Sequence, residues 1–155
     1  MAHPLKFEVV SLKEVPWNDS TMIPDQRARV VLVVDDERVI ADTLSMILRK
    51  SGYDVMTAYD GTTALALARA VPPSLLITDV VMPGMTGIEL AIMLVNVIED
   101  CKVLLFSGQA ATVDLLAVAR EMGHEFTILT KPVHPTDMLR RVSECIEARE
   151  LVAAS

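Results

Sequence analysis

Acidic residues follow two of the apolar runs in this sequence. Asp35 and Asp36 come directly after Val30–Val34, and Asp79 follows a run that ends at Ile77. Two like charges about 4 Å apart repel each other by roughly 4 kcal/mol at an effective dielectric near 20. If the fold brings the three carboxylates together, a cation must neutralise them, and hard oxygen ligands favour Mg²⁺.

A hydroxyl group and an ammonium group follow two further apolar runs. Ser107 comes after Val103–Phe106, and Lys131 comes shortly after Phe126–Leu129. An acidic pocket that holds Mg²⁺, with a hydroxyl and an ammonium beside it, has the groups needed to handle a phosphoryl group. The residue types therefore indicate phosphoryl chemistry, provided that the fold gathers these positions.

Each of these residues also has an ordinary structural interpretation. Asp35 and Asp36 could cap the helix that follows them, since aspartate is favoured there, and from this dipeptide alone capping is the better interpretation. Asp79 could serve a turn, Ser107 could belong to a common strand-to-helix turn, and Lys131 could be a solvated surface charge. The functional interpretation rests on all of these positions together.

The apolar pattern from residue 30 onward predicts five strands that alternate with five helices. Val30–Val34 is a continuous apolar run rich in β-branched residues, which is typical of a strand buried on both faces. Gly52 and Pro72 are placed to end the first two helices. The predicted strands are Val30–Val34, Tyr53–Thr57, Leu75–Ile77, Val103–Phe106 and Phe126–Leu129, and the predicted helices are Arg38–Lys50, Asp60–Ala70, Gly87–Glu99, Ala110–Met122 and Pro135–Arg149.

This strict alternation predicts an α/β fold. Its five strands form a parallel sheet, helices cover both faces, and the crossovers are right-handed. In such a doubly wound sheet the functional site lies beyond the carboxyl ends of the strands. The acidic, hydroxyl and ammonium groups described above would meet at this edge.

The chain divides near residue 29. Residues 1–29 hold four basic and four acidic residues, three prolines and the only tryptophan, Trp17, with no clear period. We interpret them as an N-terminal extension to a domain of residues 30–150, with residues 151–155 as a short tail. Too few residues follow this domain to form an output module, so the expectation is a domain that stands alone.

Composition narrows the class of protein. The net charge of −7 opposes wholesale wrapping of nucleic acid, and we expect neither a membrane span nor a secretory signal. Cys101 and Cys145 are too few for a disulfide framework and lack metal-ligand spacing. No glycine-rich phosphate loop follows the first strand, which opposes dinucleotide and P-loop nucleotide binding. We therefore expect a reduced, cytoplasmic protein.

Four segments, each at a predicted strand end, resemble the response-regulator receiver family. They are Val33–Glu37, Ile77–Gly87, Leu104–Gly108 and Thr130–Pro132, and the resemblance covers residues 30 to about 149. It implies a flavodoxin-like sheet with strand order 2-1-3-4-5 and five helices. It also implies two-component signalling, in which a histidine kinase or a histidine phosphotransfer protein donates a phosphoryl group.

The resemblance assigns roles in phosphoryl transfer to single residues. Asp79 would be the phosphoacceptor, Ser107 would hydrogen-bond a phosphoryl oxygen, and Lys131 would pair with it. A cis peptide bond is implied between Lys131 and Pro132. The reaction would be a self-phosphorylation that depends on Mg²⁺, not the turnover of an enzyme.

The resemblance also implies a set of metal ligands. Asp36 would bind Mg²⁺ directly, Asp35 would hold it through water or orient the site, and the Val81 carbonyl would be a further ligand beside Asp79. The phosphorylated domain would then signal to a downstream protein, through the fourth helix, fifth strand and fifth helix, and without direct contact with nucleic acid. The sequence leaves open whether a homodimer forms through the face of residues 110–149.

Two alternatives compete with this interpretation. A pseudo-receiver would keep the fold as a scaffold without phosphotransfer, but the acidic, hydroxyl and lysine positions are intact. A phosphatase with an aspartate nucleophile usually places a second aspartate two residues after the first, whereas Asp35 and Asp36 are adjacent.

The sequence departs from the family pattern at the aromatic switch position. Ile128 stands there, three residues before Lys131, and isoleucine has few rotamers and no ring to swing. We therefore expect a smaller conformational change. Val81 and Gln109, two residues beyond Asp79 and Ser107, are positions that influence the access of water in the family. An apolar Val81 offers no base to a hydrolytic water, so we expect a long-lived acyl phosphate.

Overall fold

The structure is a computed structural model that describes residues 30–108, 112–124 and 126–154. Within these ranges, five strands alternate with five helices, as the sequence predicts. The strands are β1 Val30–Val34, β2 Asp54–Ala58, β3 Leu75–Asp79, β4 Lys102–Ser107 and β5 Thr127–Thr130, and the helices are α1 Arg38–Lys50, α2 Gly61–Ala70, α3 Gly87–Val97, α4 Thr112–Glu121 and α5 Pro135–Ala154.

The strands form one parallel sheet in the order β2-β1-β3-β4-β5. Both the parallel pairing and the expected flavodoxin-like order are confirmed. The chain leaves β1 for one neighbour, β2, and later returns to the other side of β1 with β3. This reversal of strand order is the switch point at which doubly wound sheets bind their ligands.

Two apolar cores enclose the sheet, one on each face. All five residues of β1 are buried, because alternate side chains enter opposite cores. Leu32 packs on the side of α2, α3 and α4. Val33 packs on the other side, beneath α1 and α5. The run of β-branched and leucine residues thus positions the strand end at Val34 between two rigid layers.

Local signals fix the ends of the first two helices. Helix α1 ends before Gly52, whose φ of 97° is a left-handed conformation that favours glycine. Asp60 accepts a hydrogen bond of 2.7 Å from the Thr63 amide at the start of α2, and this bond lowers the pKa of the Asp60 carboxyl. The sequence therefore predicted both helices with nearly correct boundaries.

Several element boundaries differ from the prediction. β3 and β4 are longer than expected, so that Asp79 and Ser107 are the last residues of their strands and not loop residues. The parallel ladder continues past the apolar run, with Asp79 opposite Phe106 and Ser107 opposite Thr130. Helix α5 continues to Ala154, five residues beyond its predicted end. Among the described residues, we find no helix that is both long and apolar enough for a membrane span.

Candidate functional site

Three carboxylates meet where β1 and β3 end. Asp35 follows β1 directly, Asp36 comes next, and Asp79 is the last residue of β3. One carboxylate oxygen from each residue lies within 4.8 Å of the other two. The side chain of Asp35 is 1% exposed and that of Asp79 12% exposed, whereas Asp36 faces solvent. The sheet therefore gathers the acidic residues as predicted.

One carboxylate oxygen of Asp35 accepts a hydrogen bond, and the other accepts none from the described residues. Its Oδ1 atom accepts the Glu37 amide at 2.9 Å, and its own amide donates to the Ala58 carbonyl at 3.2 Å. Its Oδ2 atom is buried and accepts no hydrogen bond from the described residues. Lys131 Nζ lies 3.6 Å from this oxygen, close enough for an ion pair but too far for a good hydrogen bond.

The environment of Asp35 disfavours its charged form. Burial is the largest cause and raises the pKa of the carboxyl above 3.8, and the neighbouring charges of Asp79 and Asp36 raise it further. The Glu37 amide and the Lys131 ammonium lower this pKa but do not outweigh the other effects. A cation bound at Oδ2 would relieve this cost, since it would partner a buried, unsatisfied oxygen.

The capping interpretation of the two aspartates is wrong. The residue at the N-cap of α1 is Glu37, and its side chain makes no capping hydrogen bond. The Asp35 carboxylate instead accepts a hydrogen bond from the Glu37 amide, two residues further along the chain. Asp36 lies between them and is exposed, so that its carboxylate stays available for a ligand.

Lys131 reaches into the acidic cluster from the end of β5. Its Nζ atom lies 3.1 Å from Asp79 Oδ1, and its amide donates to the Ser107 carbonyl at 2.9 Å. Burial lowers the pKa of Lys131, but the hydrogen bond to Asp79 and the charges of Asp35 and Asp79 outweigh burial, so that the net shift is upward. The bond between Lys131 and Pro132 is cis, as the resemblance implies.

Ser107 lies at the same edge of the sheet. It ends β4, is 6% exposed, and its strand stands between β3, which carries Asp79, and β5, which leads to Lys131. Val81 follows Asp79 by two residues, in the loop between β3 and α3, and its side chain is 49% exposed. Ile128 lies in β5, opposite Leu105, and packs partly buried on the core. Gln109 lies outside the described residues.

Glycine at position 87 lets α3 press directly against Asp79, a feature that the sequence analysis missed. A Cβ atom at Gly87 would overlap the Asp79 carbonyl oxygen, so no side chain fits at this position. The Gly87 amide also donates to the Val80 carbonyl at 2.8 Å. Thr86 and Glu89 form a reciprocal capping box at the start of α3. The start of α3 therefore packs directly against the backbone of Asp79.

A second feature beyond prediction lies beside the acidic cluster. The Arg38 guanidinium sits 4.1 Å from the centre of the Tyr59 ring, and the Tyr59 hydroxyl donates to Asp42 at 2.6 Å. This hydrogen bond is the main reason that the pKa of Tyr59 is raised. Arg38 and Asp42 are four residues apart on α1, a spacing that places them on one helix face, but no pattern in the sequence indicates that Tyr59 joins them.

The assembled site carries a formal charge of −2 when its three carboxylates and its lysine are ionised. This charge and the oxygen-only donor set suit a divalent hard cation such as Mg²⁺. Asp79 is partly exposed and Asp36 is open to solvent, so a phosphoryl donor has access. The arrangement can bind a cation next to a carboxylate nucleophile and offer a positive side chain to the transferred oxygens.

Comparison with known proteins gives one family. The model of the response regulator receiver domain matches residues 31–143. A probable transcriptional regulatory protein, TcrX, from Mycobacterium tuberculosis is 35% identical over 118 residues, which are 76% of this chain and 50% of that protein. The DNA-binding response regulator MtrA from Mycobacterium bovis is 32% identical over 118 residues, again 76% of this chain and 50% of that protein. The chain thus spans about half the length of these relatives.

Solved structures agree with this family match. The receiver domain protein, CheY-like, from Methanospirillum hungatei has a TM-score of 0.72 to this chain at 27% identity. The superposition covers 79% of this chain and 96% of that one. A receiver domain protein from Clostridium thermocellum gives a TM-score of 0.71 at 26% identity, with 79% and 98% covered.

Proposed function

The chain belongs to the response regulator receiver family, and from this premise we propose that it accepts a phosphoryl group on Asp79. The donor is a phosphohistidine of a histidine kinase or of a histidine phosphotransfer protein. The observation that carries the proposal is the meeting of Asp79, Asp35 and Asp36 within 4.8 Å, with Lys131 3.1 Å from Asp79.

The step is a displacement at phosphorus. An Asp79 carboxylate oxygen forms a new P–O bond, the P–N bond to the donor histidine breaks, and the imidazole leaves with that electron pair. The product on this chain is an acyl phosphate. No oxidant or further reactant is needed, so one phosphoryl group is gained for each one that the donor loses.

The acidic cluster provides the metal site for this step. Asp35, Asp36 and Asp79 would hold Mg²⁺, with the Val81 carbonyl as a further ligand. The ion supplies positive charge, which lets an anionic nucleophile approach an anionic phosphoryl group. Asp35 Oδ2 supports this assignment, because it is buried and accepts no hydrogen bond from the described residues, which is costly without a ligand.

Lys131 and Ser107 would bind the phosphoryl group once it is attached. Lys131 is already placed at the Asp79 oxygen, so its ammonium moves only a short distance to pair with phosphoryl oxygens. Ser107 ends the neighbouring strand β4 and would donate its hydroxyl. Movement of Ser107 toward the phosphoryl group would pass to the segment after β4 and to α4, which follow it in the chain.

We further propose that the domain of residues 30–150 acts on a downstream protein through α4, β5 and α5. Residues 30–155 carry ten basic and seventeen acidic side chains, a balance that opposes direct binding of nucleic acid. Transcriptional regulation and DNA binding are stated for the named relatives as whole proteins, of which this chain spans about half.

Intact-mass measurement tests the proposal. The protein is incubated with Mg²⁺ and a small phosphodonor such as acetyl phosphate or phosphoramidate. We expect the mass to rise by one phosphoryl group, and we expect EDTA to prevent the rise. A protein that binds Mg²⁺ but gains no mass from either donor would favour the pseudo-receiver alternative.

A further inference from the structure

An apolar groove runs between α3 and α4, on the face of the sheet away from α1 and α5. It encloses about 500 Å³. Its apolar lining includes Ile88, Ile92, Met93, Val118 and Met122. Nothing in the described part of the chain covers it.

The walls of the groove expose large apolar side chains. Met93 is 41% exposed, Val118 53% and Met122 59%. Single exposed apolar residues are ordinary, but several that line one groove indicate a contact surface. Methionine side chains also adapt their shape to an aromatic partner and make favourable sulfur–aromatic contacts.

We propose that the N-terminal segment, residues 1–29, folds back onto its own domain and places Trp17 in this groove. Tryptophan is one of the residue types enriched at the positions that carry most of the binding energy of protein interfaces. Trp17 is the only tryptophan of the chain and follows Pro16.

The topology places the groove within reach. The segment enters the domain at Val30, the first residue of β1. Because the strands are parallel, β4 and β5 begin at this same edge, and α3 and α4, which lead into them, end there. Met122 directly follows α4, so the α4 side of the groove reaches this edge. The α3 side is formed by the first half of that helix and leads toward the opposite edge.

The length of the segment also fits. Twelve residues lie between Trp17 and Val30, and an extended chain of that length spans about 40 Å. A domain of this size has a radius of gyration of about 14 Å. Trp17 can therefore reach the groove by running across one edge of the domain.

Charge favours the chain's own segment over a second copy of the protein. Residues 30–155 carry seven more acidic than basic side chains, so two domains repel each other. Residues 1–29 hold four of each sign, so the segment approaches the domain without net repulsion. The connection to Val30 also supplies a high effective concentration, which a separate molecule lacks.

Fluorescence of Trp17 in the full chain tests this inference directly, since no other tryptophan contributes. We expect emission at the short wavelengths of a buried indole, and slow quenching by acrylamide. Val118→Glu puts a charge into the groove at an exposed helix position. We expect this variant to shift the emission to that of an indole in water and to speed the quenching.

Val39→Glu is the matched control. Val39 is 78% exposed on α1, on the opposite face of the sheet, and we expect its substitution to leave the emission unchanged. Far-UV circular dichroism of both variants checks that the domain stays folded. Met93→Lys, with the opposite charge, should repeat the effect of Val118→Glu.

Three results would overturn the inference. The first is wild-type emission already typical of an indole in water. The second is equal emission from the wild type, Val118→Glu and Val39→Glu. The third is a blue-shifted emission that disappears on dilution together with a larger species in light scattering, which would assign the groove to a second copy.

Discussion

The Nζ atom of Lys131 lies 3.1 Å from the Oδ1 atom of Asp79. The ammonium group thus neutralises the carboxylate that we propose as phosphoacceptor, and it lies near the buried Asp35 oxygen as well. A lysine in this place has two tasks. It offsets repulsion among carboxylates in the metal-free protein, and it becomes a partner for phosphoryl oxygens after transfer.

Lys131→Gln should therefore destabilise the metal-free protein. The substitution leaves the carboxylates of Asp35 and Asp79 without their positive partner, and an uncompensated buried polar group costs about 1–3 kcal/mol. Urea unfolding in EDTA measures the loss. In Mg²⁺ the loss should shrink, because the cation replaces the missing charge.

The matched control is Lys102→Gln, at an exposed position in the first residue of β4. We expect it to change the free energy of unfolding little in either buffer. Equal losses for the two lysine variants, or a loss at Lys131 that Mg²⁺ does not reduce, would speak against the acidic cluster as a metal site.

Asp35→Asn should stabilise the metal-free protein at neutral pH. The folded-state pKa of Asp35 lies above its ordinary value of 3.8, chiefly because of burial. The stability from this shift is fully present below pH 3.8 and is lost as the pH rises through the raised pKa. Asparagine stays neutral and keeps an oxygen for the Glu37 amide, so the variant should avoid that loss.

Unfolding measured in EDTA from acid to neutral pH tests the direction of this stability difference. The free energy of unfolding of the variant should exceed that of the wild type at neutral pH, and the difference should vanish under acid conditions. Added Mg²⁺ should stabilise the wild type but not Asp35→Asn. A variant that is less stable than the wild type at every pH in EDTA would contradict a destabilising charge at Asp35.

Gly87→Ala should displace α3 from the backbone of Asp79. The new Cβ would overlap the Asp79 carbonyl oxygen, and both atoms belong to or adjoin the backbone, so a shift of either one requires the backbone to move. We expect a loss of about 3 kcal/mol in the free energy of unfolding, measured by urea titration.

Gly108→Ala serves as the control for this loss. Among the described residues, a Cβ atom at Gly108 would meet only Lys131 Cβ, at 3.5 Å, which is an ordinary contact. We expect a change within about 1 kcal/mol. Similar stabilities for Gly87→Ala and Gly108→Ala would show that the close approach of α3 to Asp79 is dispensable.

Ser107→Ala should separate labelling from signalling. The variant lacks the hydroxyl that we propose to bind the phosphoryl group, but it keeps the nucleophile and the metal ligands. We expect labelling by a phosphodonor to continue more slowly, while the change in amide exchange of α4 weakens. Exchange measured with and without a phosphoryl mimic decides this; an undiminished change in α4 would remove Ser107 as the trigger.

The sequence predicted the fold because its apolar pattern is so regular. Val30–Val34 and the helical spacing of Arg38–Lys50 occur in the structure with the predicted boundaries. The misplaced ends of β3 and β4 have a common cause. Asp79 and Ser107 are polar and so break the apolar pattern, but backbone hydrogen bonds to neighbouring strands do not depend on side-chain polarity.

The gathering of the acidic cluster was also predictable, since parallel strands place their ends at one edge. The finer contacts were not. The stacking of Arg38 on Tyr59 and the approach of Gly87 to Asp79 depend on how helices pack across layers. No spacing along the chain encodes these distances. The roles of Asp79, Ser107 and Lys131 in phosphoryl transfer remain predictions.

The most direct test compares Asp79→Asn with Asp54→Asn. Asp54 is an exposed aspartate that begins β2, at the opposite edge of the sheet, so its substitution makes the same chemical change far from the site. Each protein is incubated with Mg²⁺ and a small phosphodonor, and its intact mass is measured. We predict one added phosphoryl group on the wild type and on Asp54→Asn, and none on a folded Asp79→Asn. Full labelling of Asp79→Asn would contradict the assignment of Asp79 as the phosphoacceptor.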